Sequence, residues 1–273
     1  MRINITKAYI ERTNMSCACA SKPRHWLRLE NVSQDSDETF SFDFSSEEEI
    51  SWKEGDSSKI FLMVSGTEQG KKFSHATLPS ERIIRFTTRV RKDKSAYKAA
   101  LSELNLGQWL EISMPEGQFA LRRDNRPIFL LSNGVGIAAT RALVKAFEKD
   151  QTMIPELIQI NVDSNSAIYK DEFIKLEDEL STFKSKYLKH RGEFYEHLDY
   201  ELQEAFMRFI QEPLFYVVGS DAFVSDTIVH LEMVGIEPES IITDGHKSGG
   251  TCGCSSDAGC GCGANLVTNF MTF

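Results

Sequence analysis

Six cysteines and one glycine-rich turn are the residues of this chain whose types and spacing bear most directly on chemistry. All six cysteines come as Cys-x-Cys pairs: Cys17 with Cys19, Cys252 with Cys254, and Cys260 with Cys262. The segment TCGCSSDAGCGCG sets four of them among glycines, which let a backbone turn sharply. Cys252, Cys254, Cys260 and Cys262 can therefore surround one centre, and a tetrathiolate site suits zinc or an iron–sulfur cluster. The spacing matches neither plant-type ferredoxins nor common zinc fingers, so it names no metal. A dithiol–disulfide relay and a tail with no role in electron flow stay open beside it. The second feature is RPIFLLSNGVGIAAT, Arg126 to Thr140. An apolar run, Ile128 to Leu131, stops at Gly134 and Gly136, and a helical pattern follows through Ile137, Ala138, Leu143, Val144 and Phe147. A strand, a tight turn and a helix in that order let backbone amides and a helix N-terminus approach a pyrophosphate.

The elements around that turn differ on its two sides. Before it, residues 24–113 read as short strands near 26–32, 38–44, 58–64, 82–90 and 109–113, with one helix near 95–104. ETFSFDF alternates as a half-buried strand should, and the series predicts a small antiparallel barrel. After Arg126, strands near 127–132, 156–162, 186–190, 214–219 and 240–243 alternate with helices near 137–149, 170–182, 199–210 and 221–234. That alternation predicts a parallel sheet with helices on both faces. The fold class expected is therefore β followed by α/β. The boundary falls between Arg122 and Arg126 with no linker, so the two parts should pack directly together.

Composition narrows the function. A chain of 273 residues can hold two domains with real cores. Its formal net charge of -9 argues against general nucleic-acid binding. No apolar run reaches the roughly 18 residues that span a bilayer, and MRINITKAYIERTN lacks the apolar stretch of a secretory signal, so a cytoplasmic enzyme is expected. In that compartment stable structural disulfides are not expected. Charge is segregated: residues 30–56 carry ten acids against Lys53, and residues 71–98 carry nine bases against Glu81 and Asp93. The basic stretch reads either as an anion site or dock for an acidic partner, or as solvated strand faces.

Four motifs come in a fixed order: Lys71-Lys72-Phe73-Ser74, Pro115-Glu116-Gly117-Gln118-Phe119, the turn Asn133 to Thr140, and Tyr216-Val217-Val218-Gly219-Ser220. In order and spacing they resemble the ferredoxin–NADP reductase superfamily over about residues 24–246. That group includes flavodoxin reductases and the reductase components of oxygenases. The resemblance implies an FAD-binding barrel over 24–124 and an NAD(P)-binding α/β domain over 125–246. Outside them lie an N-terminal segment with a Cys pair, 1–23, and a Cys-rich tail, 247–273. The family's Arg-x-Tyr-Ser flavin signature falls on Lys71, Phe73 and Ser74. An aromatic ring can stack on the isoalloxazine, a hydroxyl can bond the hydride-accepting nitrogen, and a cation can neutralise the FAD diphosphate. Phe73 and Ser74 are thus the implied catalytic pair. Lys71 replaces an arginine and lacks its bidentate reach.

The family's second flavin segment falls near Ser95 and Lys98, without its glycine, and Ser95 is also a good helix N-cap. Pro115, Gly117 and Phe119 match a turn that needs glycine's backbone freedom. Gly134, Val135, Gly136, Ile137 and Ala138 match the nicotinamide-nucleotide motif. Gly219 and Ser220 match the family's Cys-Gly-Pro, with Val218 where the cysteine stands. Asp221 and the helix 221–234 would then cap the nucleotide cleft. Asp163 follows the second parallel strand, and NVDSNSAIY holds no cation for a 2′-phosphate, so NADH is favoured over NADPH. Asp244-Gly245-His246 stands where an acid-x-aromatic is expected. The implied activity is an FAD-dependent NAD(P)H oxidoreductase that feeds a one-electron acceptor. That acceptor is ferredoxin, flavodoxin, a ferric complex or the protein's own Cys-bound centre, and the basic stretch suits an acidic carrier or partner enzyme. The alternatives are a flavin or ferric reductase without a protein partner, and a flavin- or nucleotide-binding regulatory or coupling subunit with weak activity.

Overall fold

A computed structural model describes residues 23–245. Strand β1 (Arg24–Ser36) pairs antiparallel with β2 (Thr39–Ser45), and β3 (Ser57–Val64) pairs with β4 (Thr67–Ser74). The turn between β3 and β4 is two residues, Ser65 at φ 50° and Gly66 at φ 79°. Positive angles at both positions match the twist of a hairpin, and glycine adopts them without cost. β5 (Ile84–Arg89), helix α1 (Ala96–Ser102) and β6 (Trp109–Ser113) complete this half. The sheet order is β4-β3-β6-β1-β2-β5, antiparallel between neighbours. Its ends approach each other where Ala76 N–H donates to the Arg85 carbonyl at 2.9 Å. The sheet therefore curls round a core that includes Leu27, Phe44, Ile60, Phe86, Leu101 and Ile112. β4 was not expected as a strand. Its TEQGKKFS alternates no apolar residues because it is an edge strand, exposed over much of its length.

The second half is a parallel sheet of β7 (Ile128–Asn133), β8 (Leu157–Val162), β9 (Phe183–Leu188), β10 (Leu214–Val218) and β11 (Ile241–Thr243), in the order β11-β10-β7-β8-β9. Helices α2 (Ile137–Lys149) and α3 (Lys170–Glu179) bury Leu143, Phe147, Phe173 and Leu176 against one face. Helices α4 (Arg191–Arg208) and α5 (Asp221–Met233) bury Phe194, Leu198, Phe223 and Leu231 against the other. The chain winds outward from β7 to β9, then returns to lay β10 on the other side of β7. That reversal opens a crevice at the carboxyl ends of β7 and β10, where ligands of such sheets bind. The antiparallel and parallel halves follow the expected pattern. Several boundaries move, among them β9, which runs from Phe183 to Leu188 where 186–190 was expected, α3, which ends at Glu179 before the expected 182, and α4, which begins at Arg191, eight residues before the expected 199.

The two halves meet directly. The Phe119 ring packs edge-on to Tyr216 with centroids 5.3 Å apart, and the Tyr216 hydroxyl donates to the Ala120 carbonyl at 2.9 Å. Arg141 of α2 donates to the Ala76 carbonyl at 2.6 Å and to Glu81 at 2.9 Å in the barrel, while Glu172 holds it at 2.8 Å from α3. Among the described residues no helix is long and apolar enough to cross a membrane. No group of three or more His, Cys, Asp or Glu side chains is set there to hold a metal. Both N-terminal cysteines, Cys252, Cys254, Cys260, Cys262 and His246 lie outside the described residues.

Candidate active site

A cleft of about 890 Å³ runs between the barrel and the parallel sheet. Four segments supply its walls: the end of β4, the stretch from β5 into α1, the turn after β7, and the turn after β10. β4 brings Lys71, Phe73 and Ser74, and the start of α1 brings Ser95 and Lys98. The β7 turn brings Gly134, Val135, Gly136 and Ala138, and the β10 turn brings Gly219 and Ser220. Eleven residues chosen from separate motifs thus face one space. Three do not. Ile137 is fully buried in the core on the α2 face. Gly117 packs the barrel, where a Cβ would lie 2.4 Å from the Gly55 carbonyl oxygen. Asp163 is almost wholly buried and is held by Arg89 Nη2 at 2.6 Å, by Ser166 Oγ at 2.7 Å and by the Asn165 amide at 3.0 Å.

The glycines of the crevice are there for close approach. A Cβ on Gly136 would lie 2.8 Å from the Val218 carbonyl oxygen, and one on Gly219 would lie 2.8 Å from the Asn133 Cβ. Without side chains at these points, the ends of β7 and β10 draw together and their turns stay open to the cleft. Gly134 also takes φ +60°, which glycine adopts freely. The short turn Gly134–Gly136 leads straight into α2, so the positive end of a 13-residue helix faces the space. Asn133 Nδ2 ties the turn to the Val162 carbonyl at 2.9 Å, and Ser220 Oγ donates to Asn133 Oδ1 at 3.3 Å. Val218 lines the cleft at the position where the resemblance expects a cysteine.

On the barrel side, Phe73 stacks on Tyr97 with centroids 6.3 Å apart and planes 23° apart. Burial raises the Tyr97 phenol pKa, and its hydroxyl donates to the Ile60 carbonyl at 2.8 Å. Tyr97 is thus a fixed neutral support for Phe73. Ser74 Oγ donates to Asp244 Oδ2 at 2.6 Å, and Lys72 Nζ faces the other oxygen at 3.4 Å. The hydroxyl therefore lies at the seam, held by a carboxylate from just beyond β11.

Six cations, Lys71, Lys72, Arg89, Arg91, Lys94 and Lys98, line the cleft against one carboxylate, Asp93. Six of the nine bases of the stretch 71–98 thus converge on one cavity, which favours the anion-site reading over scattered strand faces. Asn133 and Asp244 stand within motifs that assign them no role of their own, and motif reasoning passed over Thr88, Arg89, Arg91 and Tyr97. The clustered basic stretch was a signal for the two arginines; the others carry none that a single sequence shows. A ring support, a cationic wall and a glycine turn at a helix N-terminus fit a flavin dinucleotide and a nicotinamide dinucleotide. Lys71, Phe73, Ser74 and Lys98 would hold the first, and Gly134, Val135, Gly136 and Ala138 with Gly219 and Ser220 the second.

No protein-family model matches the chain. Flavohemoproteins of Pseudomonas putida and of a Burkholderia species are 29% identical to it over 85 residues, which is 31% of this chain and 22% of each of those proteins. The matched stretch is thus a small part of those longer chains. Among solved structures, ferredoxin NADP+ reductase from Neisseria gonorrhoeae, with bound FAD and NADP, superposes with a TM-score of 0.70 at 16% identity, over 81% of this chain and 97% of that one. Flavohemoglobin from Malassezia yamatoensis, with bound FAD and heme, superposes with a TM-score of 0.67 at 17% identity, over 81% of this chain and 59% of that one. The chain has the two-domain fold of the ferredoxin–NADP reductase and of the flavohemoglobin reductase part.

Proposed function

We propose that this protein is an FAD-dependent NAD(P)H oxidoreductase. In this reading residues 24–124 hold the flavin and residues 125–246 the nicotinamide nucleotide. The observation that carries it is the single cleft in which Phe73 and Ser74 of the barrel face Gly134, Val135, Gly136, Ala138 and Gly219 of the parallel sheet. Bound FAD would take a hydride from NAD(P)H and give up its electrons singly to an acceptor, chemistry that belongs to the cofactors. The chain supplies position. Phe73, backed by Tyr97, offers a flat face for the ring system. Ser74 offers a hydroxyl at the seam between the two nucleotide sites, oriented by Asp244. The glycine turns let a nicotinamide approach that seam, and α2 directs its N-terminus toward a diphosphate.

The acceptor belongs to the same reading. The cationic wall suits an acidic electron carrier such as a ferredoxin or flavodoxin. An internal acceptor at Cys252, Cys254, Cys260 and Cys262 is supported by the short span of sequence that separates those cysteines from the cleft. Gly245 borders the cleft, where a Cβ would meet Lys72 Nζ at 2.7 Å. Cys252 follows seven residues later, a reach of at most about 25 Å. NADH as the donor rests on the absence of a cation in residues 161–169. Arg89 enters that region from the barrel, so Asp163 would have to exchange this partner for a ribose. The test is an anaerobic absorption spectrum after loading with FAD, before and after NADH or NADPH. Bleaching of the flavin bands is expected; a loaded protein that neither nucleotide bleaches would refute the oxidoreductase and favour a binding subunit. Charge-transfer bands beyond the flavin would assign the cysteines to a cluster.

A further inference from the structure

Asp163 stands where the resemblance places the choice between the two nicotinamide nucleotides, yet its carboxylate has little room for a ribose. Its side chain is only 3% exposed. Oδ2 accepts from Arg89 Nη2 at 2.6 Å and from Ser166 Oγ at 2.7 Å, and Oδ1 accepts from the Asn165 amide at 3.0 Å. Three of its about four acceptor positions are thus filled from within the protein. A ribose would have to displace the guanidinium, and leaving a mostly buried cation unpaired is strongly unfavourable.

The barrel fixes the loop that carries Asp163 at both ends. Thr87 and Arg89 lie two residues apart on β5 and so project from one face of the strand. Arg89 holds Asp163 where the loop begins, and Thr87 Oγ1 meets the Tyr169 hydroxyl at 2.6 Å where it ends. Proton counting gives the direction of that second bond. Ser41 Oγ gives its one proton to Asp35 Oδ2 at 2.5 Å, so Thr87 donates to Ser41 at 2.6 Å, and Tyr169 donates to Thr87. Arg89, by contrast, has capacity left. A guanidinium carries five N–H groups in a fixed fork, and among the described residues Asp163 is the one acceptor that Arg89 meets. The group lies against the glycine turn, where a Cβ on Gly134 would stand 3.4 Å from Nη2. It lines both the cleft and an adjoining cavity of about 420 Å³. Asp93, the one carboxylate that lines the cleft, forms no ion pair with it. The remaining donors of Arg89 are left for an anion that occupies the turn.

We propose that Asp163 is a positioning residue that does not read the ribose: it holds Arg89 of the barrel over the glycine turn, where the guanidinium takes the diphosphate of the nicotinamide nucleotide. This rests on the nicotinamide reading above. The diphosphate is common to NAD and NADP, which differ only at the 2′ position of the ribose. A residue that serves the diphosphate acts on both nucleotides alike, whereas one that reads the ribose separates them.

The experiment is calorimetric titration of the FAD-loaded protein with NAD+ and with NADP+, both oxidised so that no electrons pass. Arg89→Met should weaken both about tenfold, for want of one charge-assisted contact. Arg89→Lys, which keeps the charge and lacks the fork, should fall between. Asp163→Asn should change the two affinities by a common factor and leave their ratio within about twofold of wild type. A ratio that moves about tenfold toward NADP+ would give Asp163 to the ribose and overturn the proposal. So would Arg89→Met that binds both nucleotides as wild type does, whatever its melting temperature, since the pair would then be only a clamp between the two halves. Wild type that binds neither nucleotide would overturn the nicotinamide reading and this inference with it, a result distinct from binding that ignores Arg89.

Discussion

Ser74 and Gly136 show two ways a single residue acts in this cleft. Ser74 commits its hydroxyl to Asp244 across the seam, 170 residues away in sequence. Ser74→Ala is expected to slow flavin reduction by NAD(P)H about tenfold, the worth of one hydrogen bond in the reacting geometry. Thermal unfolding should move by only a few degrees; rapid-mixing kinetics with an unchanged reduction rate would remove Ser74 from catalysis. Gly136 acts by having no side chain. Gly136→Ala would set a Cβ 2.8 Å from the Val218 carbonyl oxygen, overpacking of the kind that costs about 1–3 kcal/mol. It should weaken NAD(P)H binding while FAD binding by the barrel persists, and calorimetric titration of both ligands checks this. Ser74, Phe73 and the glycines were legible as motifs, because their chemistry is local. The engagement of Asp163 was not, because Arg89 reaches it from a strand 74 residues earlier.

At the scale of elements, the barrel owes its shape to pairings that its strands state unequally. β2 announces itself by alternation, whereas β4 hides among polar residues because an edge strand buries little. Its existence is visible only through the Ser65-Gly66 turn and its pairing with β3. Just past β4, His75 turns into the barrel core, edge-on to Phe86 at 5.1 Å and bonded through Nε2 to Ser58 Oγ at 3.0 Å. Burial lowers its pKa to about 3, whereas an unfolded histidine titrates near 6.5. The stability it contributes is complete above pH 6.5. It declines by about 1.4 kcal/mol per unit as pH falls below that, and levels off near pH 3. Urea unfolding of wild type at pH 7 and pH 5 should therefore differ by about 2 kcal/mol more than that of His75→Phe. An equal difference in the two proteins would show that His75 is protonated in the folded barrel.

The whole molecule is one piece because cations cross its seam. Arg141, its side chain only 7% exposed, joins α2 to Ala76, Glu81 and Glu172. Arg141→Met would leave Glu81 without its ion pair and Glu172 with only the longer pair to Lys145 at 3.6 Å. A loss of about 3–5 kcal/mol is expected, read as a lowered denaturation midpoint; a loss below about 1 kcal/mol would mean the halves are held by packing alone. The sequence by itself determined that a barrel of antiparallel strands precedes an alternating α/β half. It also determined which turns can approach a phosphate. Periodicity and glycine placement are local properties, written within a few residues of where they act. Only the tertiary structure decided that six cations of one stretch face a single cleft, that Asp163 is spent on Arg89, and that no carboxylate among the described residues pairs with Lys98. Those facts depend on which side chains long-range packing brings within a few ångströms, and spacing along the chain carries no record of that.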